Sequence, residues 1–141
     1  MIDELDSRII NELSKDAGLS YSEIARALNQ NESTIRKRII AMKEKGVIKK
    51  FSCVLDHLKV GYNTVAIVGL DVDPGLLLDV AQKLADMRET KYVATSTGDH
   101  MLMAEVWAKD GRELAQILST MGAIAGVRKL CPAILLEKIK E

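Results

Sequence analysis

The sequence predicts an α+β chain in two parts: three short helices closed by a wing strand, then a four-stranded antiparallel sheet with two helices on one face. Three observations lead there. Capped amphipathic helix patterns fill residues 1–45, extended and helical patterns then alternate as β-α-β-β-α-β, and charge is divided unevenly between the two stretches.

Asp3 can cap a first helix whose Leu5, Ile9, Ile10 and Leu13 recur at helical spacing, with Gly18 beyond its end. Ser20-Tyr21-Ser22-Glu23 is a capping box opening a second, short helix with Ile24, Ala25 and Leu28 inside. Asn31 caps a third from about Glu32 to Lys45, which Gly46 ends in a left-handed turn. With a tight turn between the second and third helices and Val47–Phe51 as a strand, residues 1–51 read as a winged helix-turn-helix.

Ser52–Leu58 reads as an extended hinge, punctuated by Lys59-Val60-Gly61, so residues 52–61 form the linker. Tyr62–Val72 is the first sheet strand. Asp73 caps and Pro74 begins a helix to about Arg88, Lys91–Thr97 and His100–Ala108 pair across a Gly98-Asp99 turn, and Asp110 with Glu113 starts the second helix. Val127–Lys138 closes the order as an edge strand, where Pro132 is tolerated. Residues 62–141 thus form a ferredoxin-like αβ sandwich. Its second sheet face is left bare, lined by Val65, Ile67 and Met103 or by the alternate set, and a bare apolar face predicts self-association as a face-to-face dimer.

The 141 residues carry 20 basic and 20 acidic side chains, a formal net charge of zero. The sum hides a split. Residues 1–52 hold ten basic and eight acidic groups, residues 53–141 ten and twelve, and between Arg26 and Lys50 eight basic side chains meet only Glu32 and Glu44, a net of +6. A basic segment on a helix-turn-helix points to double-stranded DNA rather than to a merely solvated face. On the third helix Ile35, Ile39 and Met42 face inward, while Ser33, Lys37, Ile40 and Glu44 face outward, flanked by Thr34, Arg36 and Ala41. Ser33 and Thr34 can touch base edges, Arg36 and Lys37 can reach bases or phosphates, and Lys49 and Lys50 in the wing can neutralise phosphates. Arg38 lies nearer the core boundary and bonds either a phosphate or an acid of the first helix such as Asp6.

Other chemistries find little support. Cys53 and Cys131 have no CxxC spacing, and with only His57 and His100 no metal site is expected. P-loop, GxSxG and GxGxxG patterns are absent, so no enzyme and no cofactor are expected. Uncharged stretches such as Val60–Leu70 are too short to span a bilayer, and Asp3, Glu4 and Asp6 are unlike a signal peptide, so the expected location is the cytoplasm. Thr95–His100 is the most polar cluster at a strand junction. It reads either as a plain hairpin turn or as a zwitterion site, with hydroxyls and exposed amides for a carboxylate and Asp99 for an ammonium.

Asn31-Glu32-Ser33-Thr34-Ile35-Arg36-Lys37-Arg38-Ile39 leading to Gly46-Val47-Ile48 stands in one chain with Ser96-Thr97-Gly98-Asp99-His100-Met101. With the opening Ile2–Asp6 and the closing Cys131–Glu137, these motifs make the whole chain resemble the Lrp/AsnC, or feast/famine, transcriptional regulators, its archaeal members most. The resemblance implies a homodimer joined through a C-terminal ligand-binding (RAM) domain and assembled further into tetramers, octamers or hexadecamers. It also implies an amino-acid effector held between dimers near Ser96, Thr97, Gly98, Asp99 and His100. Similar proteins include sirohaem decarboxylases, which makes an enzyme the alternative from another class, and an architectural DNA-compacting protein is a third.

Overall fold

Asp3 opens the first helix as its cap. Its carboxylate accepts from the Asp6 amide at 2.9 Å while the Asp6 carboxylate accepts from the Asp3 amide at 3.2 Å, satisfying two donors that helix geometry leaves orphaned. The computed structural model, which describes all 141 residues, places α1 at Glu4–Lys15, α2 at Tyr21–Leu28 and α3 at Glu32–Glu44 in a unit spanning Met1–Val54. Ser20 and Glu23 cap α2 reciprocally as expected, and Asn29 ends it in the left-handed region at φ 54°. Ile9, Ile24, Leu28, Ile35, Ile39 and Met42 meet in one buried cluster that fixes the three helices against each other.

The wing departs from expectation. Val47–Phe51 is not a β-strand, because this unit contains no second extended segment to pair with it and a lone strand has no ladder. It is tied back to α3 instead: the Ile48 amide donates to the Met42 carbonyl at 3.1 Å, and Lys43 Nζ sits 5.2 Å from the Phe51 ring centre. The extended run expected to Leu58 also stops early. Asp56 accepts from the Leu58 and Lys59 amides at 3.0 and 3.3 Å, and this side-chain turn coils the chain through Gly61.

The second unit, Leu55–Glu141, holds β1 (Thr64–Val72), a 3₁₀ turn at Pro74–Leu76, α4 (Leu77–Asp86), β2 (Thr90–Thr95), β3 (Leu102–Ala108), α5 (Gly111–Gly122) and β4 (Val127–Ile134). The strands lie in the order β2-β3-β1-β4, antiparallel throughout, so the β-α-β-β-α-β sandwich forms as expected and Pro132 falls on an edge opposite Val68. Alternation puts Ala66, Val68, Leu70 and Val72 of β1 and Leu102, Ala104 and Val106 of β3 under Val80 and Leu84 of α4 and Leu114, Ile117 and Met121 of α5.

Three local features differ from those the sequence predicts. Asp73 makes no cap bond; its carboxylate pairs with Arg128 on β4, and α4 proper starts only at Leu77. β4 ends at Ile134 rather than Lys138, since Ile134 pairs with Ala66 and β1 begins only two residues earlier, leaving one further bond from the Leu135 amide to the Val65 carbonyl. The β2–β3 connection spans Ser96–Met101 instead of a two-residue turn, because the ladder closes at the Thr95–Leu102 pair.

Of the two sets offered for the free sheet face, Val65, Ile67 and Met103 are the ones that turn away from the helices. One end of that face is covered by this chain itself. Trp107 is only 9% exposed, with the His57 and Tyr62 ring centres 5.9 and 5.7 Å from its own, and Lys138 lies over its ring while reaching Glu105 at 2.8 Å. Around Ile67, Met103 and the exposed Tyr92 the face stays open.

Candidate nucleic-acid interface and ligand turn

Asn31 organises the start of α3. Its Oδ1 accepts from the Thr34 amide at 2.9 Å and also from the Ser33 and Thr34 hydroxyls, at 2.9 and 2.8 Å. With their protons directed to Asn31, these hydroxyls turn only acceptor lone pairs outward, which suits amino groups on base edges. Arg36 and Lys37 are exposed one turn further along. Arg36 is held twice, by Glu32 at 3.3 Å and by the Tyr21 ring, whose centre lies 5.5 Å from its Cζ. Lys37 carries no such partner, and Lys49 and Lys50 are exposed in the segment after α3.

Arg38 resolves its two alternatives in favour of the first helix. Its Nη1 donates to Asp3 and, at 3.3 Å, to Asp6, so the guanidinium clamps the acidic start of α1 onto α3 and is only 36% exposed. The side-chain hydrogen bond from Arg38 holds the Asp3 carboxyl below the usual carboxylate range, aided by the Asp6 amide. A depressed folded value means the clamp stabilises above the unfolded carboxylate value and is lost as pH falls toward the folded one. Amide-exchange protection of α1 is therefore expected to decline below about pH 4. Asp3→Asn should flatten that decline, and an identical acid profile in the variant would remove the clamp from the account.

The sequence cluster at residues 96–100 divides when folded. Ser96 Oγ donates to the His100 carbonyl at 2.7 Å and the Ser96 amide to the Met101 carbonyl at 2.9 Å, closing the loop on itself. Gly98 takes φ +97°, a conformation that disfavours any side chain, while Thr97 and Asp99 are exposed at the tip. His100 leaves them. Its ring lies flat on Gly69 in the middle of β1, where a Cβ would overlap Cγ and Cδ2, and its Nδ1 reaches Asp71 at 3.4 Å. Thr97, Gly98 and Asp99 are thus brought together and His100 is not.

Sequence reasoning passed over three residues here. Local pattern marks Tyr21 only as part of a cap and Asn31 only as a cap, and gives Gly69 no role. A bulky aromatic at the first position of a helix facing an arginine-bearing neighbour is a signal that could have found Tyr21; Gly69, the partner of His100, had none short of the fold.

Residues 2–49 match the family model described as winged helix-turn-helix DNA-binding, and residues 65–141 match that of the Lrp/AsnC ligand binding domain. The chain belongs to the Lrp/AsnC family. It is 45% identical over 141 residues to the HTH-type transcriptional regulator LrpA of Pyrococcus abyssi and 46% identical to that of Pyrococcus horikoshii, covering 99% of this chain and 100% of each relative. Lrp/AsnC proteins are DNA-binding transcriptional regulators, and this chain is of that type. Its fold matches Escherichia coli AsnC at a TM-score of 0.85 and 22% identity, covering 100% of this chain and 96% of the other. It also matches the Neisseria meningitidis regulator NMB0573, solved as an L-Met complex, at a TM-score of 0.90 and 17% identity, covering 100% and 94%. No helix is long and apolar enough to cross a membrane.

Proposed function

We propose that this Lrp/AsnC protein is a sequence-specific regulator that lays α3 in a DNA major groove, acts as a dimer or larger homo-oligomer in the cytoplasm, and is tuned by an amino acid. The carrying observation is the net +6 of Arg26–Lys50, displayed as exposed Arg36, Lys37, Lys49 and Lys50 on and just after α3. Residues 1–51 are the reader, 52–61 the hinge and 62–141 the assembling and sensing part. Ser33, Thr34, Arg36 and Lys37 face the groove, and Lys49 and Lys50 neutralise phosphates. Arg38 serves indirectly, by fixing the pose of α3 on α1.

The open sheet face around Ile67 and Met103 supports pairing of two copies, which doubles the basic surface. Thr97, Gly98 and Asp99, exposed at one tip, support binding of an amino acid there, as does the L-Met complex of the Neisseria protein for that protein. Such a ligand shifts assembly only by its differential affinity for the states it joins. The named relatives favour regulation over catalysis as the chain's role.

The test is a salt titration of DNA affinity. Lys49→Ala or Lys50→Ala is expected to lessen the slope of log affinity against log salt by about one unit per subunit in contact. An unchanged slope in both variants would take the segment after α3 out of the interface, and absence of duplex binding would end the proposal.

A further inference from the structure

Arg36 and Lys37 are adjacent, both carry one positive charge and both are exposed, yet the structure treats them differently. Lys37 is a free point charge on a flexible stem. The Arg36 guanidinium lies over the Tyr21 ring, its Cζ 5.5 Å from the ring centre, and is bonded through Nη2 to Glu32, so α2 and the first turn of α3 together restrict where it can lie. Glu32 takes one of the two Nη2 protons, leaving the other to form a fork with a neighbouring guanidinium nitrogen.

We propose that Tyr21 is a specificity-determining residue, its ring and the Glu32 carboxylate fixing the Arg36 guanidinium as a fork that reads a guanine in the operator. The inference rests on the reading of α3 as the groove helix. Guanine presents two acceptors, O6 and N7, side by side in the major groove, and a planar fork held in one plane matches them where a mobile lysine does not. Glu32 also argues against a phosphate as the target of Arg36. A carboxylate 3.3 Å from the guanidinium repels a phosphate and cancels much of the attraction, whereas a neutral base edge suffers no such repulsion. The neighbouring Lys37, with no acid beside it, is the better phosphate contact.

Tyr21 is suited to this positioning role by its place in the fold. It is the first residue of α2, directly after the Ser20 cap, and its ring is half-buried against the N-terminal core while one face is left for Arg36. The ring therefore cannot follow the guanidinium when it moves, and serves as a fixed platform.

The experiment selects binding sites from randomised duplexes with the full chain and its variants. The expected wild-type result is a guanine at one position in each half-site. Arg36→Ala should erase that preference, a change of about ten-fold or more. Tyr21→Leu should weaken it by about two- to five-fold while affinity for non-specific duplex holds, and Tyr21→Phe, which keeps the ring, should restore it. Glu32→Gln, at an exposed position, should weaken the guanine preference and strengthen non-specific binding.

An unaltered preference in Tyr21→Leu overturns the proposal while leaving α3 as the reader. If Tyr21→Leu fails to fold, Glu32→Gln decides, and an unaltered preference there overturns it equally. A guanine preference that survives Arg36→Ala refutes the assignment of the fork. Failure of the wild-type chain to retain any duplex refutes the underlying reading of α3 as well.

Discussion

Ile35→Ala is expected to unfold the N-terminal unit. Ile35 is completely buried on the inner side of α3, in one cluster with Ile9 of α1 and Ile24 of α2, so its side chain is the point at which all three helices meet. Removing its outer methyl and methylene groups costs about 2–5 kcal/mol, part lost transfer energy and part the cavity left behind. Domains hold roughly 0.05–0.15 kcal/mol per residue, so a unit spanning Met1–Val54 has on the order of 3–8 kcal/mol to lose. The two figures overlap. Amide exchange should show α1–α3 unprotected while the sheet strands keep their protection, and retention on DNA should disappear with the helices. Native protection of α1–α3 in the variant would mean that another residue holds the unit together.

Gly69→Ala is expected to destabilise the second unit by about 1–3 kcal/mol, the usual cost of forcing atoms into an occupied space. Alanine is ordinarily the better residue in a strand interior, so propensity alone predicts the opposite sign. Geometry decides. The added Cβ would overlap the His100 ring, which must then leave β1 and give up its contact with Asp71. His100→Ala in the same chain frees the space, so the double variant should recover most of the lost stability, a coupling of about 0.5–3 kcal/mol in a denaturant titration. Additive effects in that cycle would show that His100 does not depend on Gly69.

The same contrast separates what the amino-acid order reveals from what it hides. Caps are legible because both partners lie within one turn: Ser20 with Glu23, Asn31 with Thr34, and Asp110 with Glu113 all form as read. Asp73 has an equally good local pattern and fails, since Arg128 reaches it across 55 positions and takes its carboxylate. Pro132 announces an edge strand by its missing donor, but the end of β4 depends on where β1 begins, a property of another segment. Angular spacing along α3 places Ser33 and Lys37 outward, and both are exposed. Arg38 was ambiguous for as long as the position of α1 was unknown. Tyr21 and Gly69 acquire meaning only from partners 15 and 31 residues away.

Trp107 gives the covered end of the sheet face an experimental use. It is the chain's single tryptophan, and the unit holding α1–α3 has none. Its indole NH donates to Glu105 at 2.8 Å, and lysines 91 and 138 lie over its ring. Indole emission responds to such neighbours and to loss of water, so this residue is a built-in optical reporter of the covered end of the sheet face. Emission excited selectively at the indole is then blind to rearrangement confined to the unit of α1–α3. A spectral change on adding duplex DNA to the full chain would mark a signal that had travelled from one unit into the other, readable without a label.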